Sequence, residues 1–343
     1  MSMSGNALCV KAQAMYGNRV LKKEYEELCE KQSVDEVIDA LKKHPRYREI
    51  FTTVNSDNMH RQQMDDIIEK NYFMQYEKLI RYAPKTQQPF FVHEIMDLEV
   101  KILVDKIMYL SNQKKDVFTV NLPVEITKKM SFDIYGLLPI DSLERLQQYL
   151  QNTKYEEILS NFDFRGKVDI NSLEQQLIQL YYDKYIRIIK QCFKGKLQTQ
   201  LLDVLFTSIE LQNITRMYRL KKYFNVTAEE LEKASFLKYK RMSNHLLEQL
   251  IKAKDMNTFM QLLAESRYHM QVKDDELIYM EHDVEEVRGK LAKHHLRFSN
   301  EASLVYLAYC TLQKIEVNNL KHIMEGIRYH KDISSIKEML IYV

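Results

Sequence analysis

The chain has 343 residues, with 50 basic and 48 acidic side chains and a formal charge of +2. That length can bury a sizeable core, and the near-balance of charge removes the broad basic footprint on which general nucleic-acid binding rests. Its four cysteines (Cys9, Cys29, Cys192 and Cys310) lie far apart with no C-x-x-C pair, a pattern of reduced thiols rather than of a disulfide framework or zinc site.

The opening MSMSGNALCVKAQAMYG lacks the long apolar run of a signal peptide. All five prolines fall at or before Pro139, and only seven glycines occur in the chain. The long remainder is rich in Leu, Lys, Glu and Gln, which makes it helical on propensity. The nearest approach to a strand is DVFTVNLPVEI at 116–126, and Pro123 interrupts it. In 209–223 a helical stripe runs through Leu211, Ile214, Met217 and Tyr218. In 315–329 a second stripe runs through Val317, Leu320, Ile323, Met324 and Ile327. The apolar run ASLVYLAYCTLQ (302–313) is about half the ~20 residues that span a bilayer, so it reads as a buried helix. The predicted fold class is all-α.

Two landmarks recur. The first pairs SVDEVIDALKKHPRYREIF (33–51) with PIDSLERLQQYLQNTKYEEIL (139–159), and more loosely with MSNHLLEQLIKAKDMNTFMQLL (242–263), where Phe259 takes the place of Tyr47 and Tyr155. The second pairs IELQNITRMYRLKKY (209–223) with IEVNNLKHIMEGIRY (315–329). A looser copy at 95–107 places Glu99 opposite Asn213 and Asn319. The landmarks alternate, and the whole unit recurs every 104 to 114 residues. That period is too long for a solenoid repeat, so three related helical lobes with pseudo-threefold symmetry are expected, at 1–115, 116–228 and 229–343.

Recognisable catalytic machinery is absent from the sequence. Gly166-Lys167, Gly195-Lys196 and Gly289-Lys290 lack the surrounding pattern of a phosphate loop. His93-Glu94 begins like a zinc helix, but Asp97 stands where its second histidine belongs. HHL at 294–296 and EHDVEE at 281–286 read as surface-helix material, and no nucleophile elbow occurs. RLKKYF (219–224) and LKYKRM (237–242) mix cations with aromatics, as single-strand nucleic-acid binders do, but equally as solvated helix faces do. Catalytic, metal and cofactor residues are therefore expected to be none. The candidate site residues are Glu210 and Asn213 with Glu316 and Asn319, each pair three apart and so neighbours on a helix. Asn is a poor mid-helix residue. Its recurrence points to a polar contact at an interface or lobe junction, beside the plainer reading of an inherited packing position.

The stretch 302–329 resembles the C-terminal signature of the family of C subunits, called d in eukaryotes, of V-type and archaeal-type ATPases. That signature runs aromatic-Leu-x-x-Lys-Glu-x-Glu-Ile-x-Asn-Leu-x-x-Ile. Tyr309 matches the aromatic, Glu316 the second Glu, Val317 the Ile, and Asn319-Leu320 the pair that follows. Cys310 stands at the Leu position, and Gln313-Lys314 replace the Lys-Glu pair. Residues 11–51 are similar to the family's opening, except that its Thr is missing before Arg46-Tyr47. The resemblance implies a three-lobed, funnel-like subunit at the cytoplasmic face of a rotary motor for proton or other cation transport. Such a protein meets the central shaft and the membrane proteolipid ring, binds no nucleic acid or cofactor, does not span the bilayer and transmits torque without catalysis. On the residues alone, a helical adaptor or scaffold unrelated to rotary ATPases stays open, as does an enzyme or nucleic-acid binder using the His or Lys clusters.

Overall fold

The computed structural model describes residues 3–52, 61–111, 118–164, 168–236, 238–270 and 277–342. Among the described residues there is no strand, and the regular structure is helical. The first helices are α1 (Met3–Gly17), α2 (Lys22–Cys29), α3 (Val34–Lys43), α4 (Arg48–Phe51) and α5 (Arg61–Ile80). Next come α6 (Gln88–Val92), α7 (Glu94–Ser111), α8 (Val124–Thr127), α9 (Leu143–Tyr149), α10 (Glu156–Ser160) and α11 (Ile170–Cys192). The remainder are α12 (Gly195–Phe224), α13 (Ala228–Lys233), α14 (Asn244–Lys252), α15 (Met256–Glu265), α16 (Leu277–Phe298), α17 (Ala302–Arg328) and α18 (Ile333–Glu338). Where the sequence comes nearest to a strand, residues 118–123 are irregular and α8 starts directly after Pro123.

Residues 1–72 and 199–343 form one compact unit, and residues 73–198 form another. In the first unit α17 is the central element, packed against α1, α2, α3, α16 and α18. That position explains its sequence. A helix touched from several sides needs apolar residues around most of its circumference rather than along one stripe. Val305, Tyr306, Tyr309, Leu312, Ile315, Leu320 and Ile323 are all buried. The approach of α18 is close enough that a Cβ on Gly326 would lie 2.5 Å from Ile336 Cγ1. The stripe Leu211, Ile214, Met217 and Tyr218 of α12 forms a core with Leu250, Phe259, Leu263 and Met280. In the second unit α7 packs along α11 and also touches α6 and α9.

Three short helices begin with the same device. Ser33 accepts from the backbone N–H of Glu36 ahead of α3, Ser142 from Arg145 ahead of α9, and Asp255 from Thr258 ahead of α15. Each cap satisfies an otherwise orphaned amide and fixes where its helix starts, for about 1 kcal/mol. Four residues past each cap sits a buried apolar side chain, Val37, Leu146 or Phe259. Beyond each helix the chain turns and presents a basic residue followed by tyrosine: Arg46-Tyr47, Lys154-Tyr155 and Arg267-Tyr268.

Candidate functional site

Each of these tyrosines meets a buried glutamate in the middle of a long helix. On α7, Glu99 is 1 % exposed, and its Oε2 accepts the Tyr155 hydroxyl at 2.6 Å. On α12, Glu210 Oε2 accepts the Tyr268 hydroxyl. On α17, Glu316 Oε1 accepts the Tyr47 hydroxyl at 2.6 Å. Burial, followed by the neighbouring glutamate, pushes the Tyr47 and Tyr155 hydroxyls well above their usual pKa. Burial and the hydrogen bond to Glu210 do the same for Tyr268. All three phenols are thereby held as donors.

The same carboxylates also collect backbone amides. Glu99 accepts Ser131 N, Glu210 accepts Arg241 N at 2.8 Å and Met242 N at 2.6 Å, and Glu316 accepts Val20 N at 3.1 Å. A buried carboxylate is tolerable only when its lone pairs are satisfied, and backbone donors have no rotamer to lose. The basic residue before each tyrosine varies in its use. Arg46 Nη1 lies 2.8 Å from Glu316 Oε1 with both side chains buried, while its Nη2 donates to Met15 O. Burial opposes the charge of Arg46, but Glu316 outweighs that effect and raises its pKa. Lys154 Nζ reaches Glu99 Oε2 at 2.6 Å from a less buried position. Arg267 instead lies over the Tyr268 ring, 5.6 Å from its centroid.

Asn213 and Asn319, three residues after their glutamates, each use both ends of the side-chain amide. Asn213 Nδ2 donates to Phe236 O at 3.2 Å and its Oδ1 accepts Phe236 N at 2.9 Å. Asn319 repeats the arrangement on Ile341, at 2.9 and 3.0 Å. An amide that offers a donor and an acceptor side by side can clasp the N–H and C=O of one residue. This requirement accounts for a poor helix former in mid-helix. The four candidate residues thus form two Glu–Asn pairs, one on α12 and one on α17, all buried and all engaged within the chain.

Two sequence correspondences need correction. The sequence pattern sets Glu99 opposite Asn213 and Asn319, but its tyrosine and amide contacts make it the counterpart of Glu210 and Glu316. Buried Ile102 then stands where the asparagines do. The pattern also sets Phe259 opposite Tyr47 and Tyr155, but Tyr268 makes their contact. Phe259 lies in the core against Tyr218, with ring centroids 6.1 Å apart. The sequence match aligns α14 with α3 and α9, whereas the Asp255 cap shows that α15 is their equivalent. Sequence reasoning misses Tyr268 and Arg46 as members of the constellation. The signal for them is the basic-Tyr pair following each capped helix.

The other sequence candidates resolve into packing. His93 Nε2 lies 3.1 Å from Tyr181 O, and its ring stacks on Tyr181 at 4.7 Å. Burial lowers its pKa to about 4. No cluster of three His, Cys, Asp or Glu side chains suited to a metal occurs among the described residues. In RLKKYF, Lys221 donates to Ile251 O and Ala253 O at the end of α14, and Arg219 pairs with Glu281. In LKYKRM, Arg241 pairs with Asp203, and Tyr239 stacks on Phe206 at 5.7 Å; Leu237 lies outside the described residues. So does Gly166-Lys167, while Gly195 takes a φ of +59° at the start of α12. No helix among the described residues is long and apolar enough to cross a membrane.

Comparison with known proteins matches residues 8–339 to the family model described as "ATP synthase (C/AC39) subunit". A relative from Methanosphaera stadtmanae, the C subunit of an A-type ATP synthase, is 22% identical over 343 aligned positions. The alignment covers 96% of this chain and 86% of the relative.

Proposed function

The chain belongs to the ATP synthase (C/AC39) subunit family, and from that premise we propose that it is a non-catalytic central-stalk component of a rotary V/A-type ATPase. In this reading it sits at the cytoplasmic face of the membrane, between the rotor shaft and the proteolipid ring, and carries torque from one to the other for cation transport. The observation that carries the proposal is the family match along nearly the whole length, with the relative bearing the name of an A-type ATP synthase component.

The repeated geometry supports it. A torque-carrying part needs stiffness spread along its length, and three buried carboxylates, each tied to a tyrosine and to backbone amides, provide it in three places. On this basis we read the chain as three related helical units, 1–115, 116–228 and 229–343. Glu210, Asn213, Glu316 and Asn319 act in them as internal ties at the junctions rather than as groups offered to a partner.

The test is co-purification with candidate shaft proteins and with the detergent-solubilised proteolipid ring, at low and moderate salt. The proposal expects binding to both. Binding to neither overturns it.

A further inference from the structure

We propose that a small cavity between α1 and α17, beside the Arg46–Glu316 pair, is a binding site for one ordered water molecule. Gln313 lies one helical turn before Glu316 on α17 and is 2 % exposed. Its Oε1 accepts the Tyr309 hydroxyl at 2.7 Å, but its buried Nε2 meets no acceptor of the protein. The buried hydroxyl of Tyr16, at the end of α1, likewise meets no protein partner. Leaving two such groups unsatisfied opposes folding by the full cost of their desolvation.

Both residues line the same nearly enclosed cavity, which offers about 10 Å³ to the centre of a water-sized sphere. That is about the space one water needs, and a buried water requires two to four polar partners. Glu316 lines the cavity as well, and its Oε2, which accepts Val20 N, keeps a lone pair for a further donor.

The lining also selects the chemical class. An anion would lie against the Glu316 carboxylate, and a cation against Arg46 and Arg19. A neutral molecule that accepts from Gln313 Nε2 or Tyr16 Oη and donates to Glu316 Oε2 suits all of them, and at this size it is water. It would join the end of the first helix to the centre of α17. The inference is independent of what the whole protein binds.

A high-resolution crystal structure of the full chain, with a parallel bromide soak, tests the site directly. The expected result is one density peak within hydrogen-bond distance of Tyr16 Oη and Gln313 Nε2, with no anomalous bromide signal there. A dry cavity, or bromide in it, overturns the proposal. Tyr16→Phe gives a second reading in solution, because it removes the hydroxyl and keeps the ring beneath Arg19. If water satisfies the hydroxyl, the variant raises the unfolding equilibrium constant about fivefold, the worth of one net hydrogen bond. If the hydroxyl has no partner, the variant is more stable than the parent, which sinks the idea.

Discussion

Replacing Glu316 by leucine removes the acceptor that holds Arg46, Tyr47 and the Val20 amide together. The Arg46 and Glu316 side chains are only 3% and 4% exposed, so solvent cannot take over. Breaking a buried ion pair by deleting one partner costs about 3–5 kcal/mol, because the other charge stays buried and uncompensated. The Tyr47 hydroxyl and Val20 N–H would each add about 1 kcal/mol or more as donors without an acceptor. Arg46→Met costs less, about 2–3 kcal/mol, since Glu316 then keeps a phenol and an amide. The double variant Arg46→Met with Glu316→Leu leaves no orphaned charge and puts apolar groups where the pair stood. It should therefore be more stable than Glu316→Leu alone, with a coupling between the two sites of about 2 kcal/mol or more. Urea unfolding followed by far-ultraviolet circular dichroism measures all four proteins of the cycle. Strict additivity, or a loss below about 1 kcal/mol for Glu316→Leu, would refute the claim that this pair is a buried, mutually dependent tie.

The other ties have their own tests. Tyr155→Phe removes one charge-assisted hydrogen bond from Glu99, which keeps Lys154 and Ser131, so a loss of about 1.5–3 kcal/mol is expected in the same assay. Asn213→Leu leaves the buried Phe236 N–H and C=O unpartnered, and should cost at least as much as Tyr155→Phe. Gly326→Ala forces a methyl into Ile336 and should lower the melting temperature; pairing it with Ile336→Val or Ile336→Ala should restore part of the loss. His93 is buried neutral with its pKa lowered to about 4, so below pH ~6.5 the unfolded chain binds a proton that the folded chain does not. Its contribution is whole above that pH, declines as the pH falls towards 4, and totals about 3 kcal/mol. His93→Phe should flatten the pH dependence of the urea midpoint across that window, and an unchanged slope would contradict the assignment.

The helical class was legible because it rests on local chemistry. Few breakers, helical periodicity and good helix formers agree over the long stretches that form α11, α12, α16 and α17. The repeats were legible too, but their register was not. Glu99 and Asn213 look interchangeable in a string, since both are polar residues on an otherwise apolar helix face. Only the contacts separate a carboxylate that gathers a phenol and amides from a carboxamide that clasps a single residue. Phe259 for Tyr268 is an error of the same origin. An aromatic at the right distance from a helix start satisfies a pattern, whereas the contact requires a hydroxyl.

The order in which these ties link the chain was further out of reach. Glu99 finds its tyrosine 56 residues later and Glu210 finds its own 58 residues later, but the partner of Glu316 lies 269 residues earlier. The third tie therefore joins the two ends of the chain, and the segment carrying Tyr47 completes the surroundings of the last long helix rather than those of the first. The α1–α17 packing and the donors from Met15, Val20 and Arg46 belong to the same closure. A chain cut after Lys43 should consequently lose order around α17 before it loses order around α7, whose tie lies wholly within residues 73–198. Hydrogen exchange resolved by peptide checks this. Fast exchange should appear in 302–328 with protection retained in 94–111, and the opposite pattern would mean that the ends are not what holds α17.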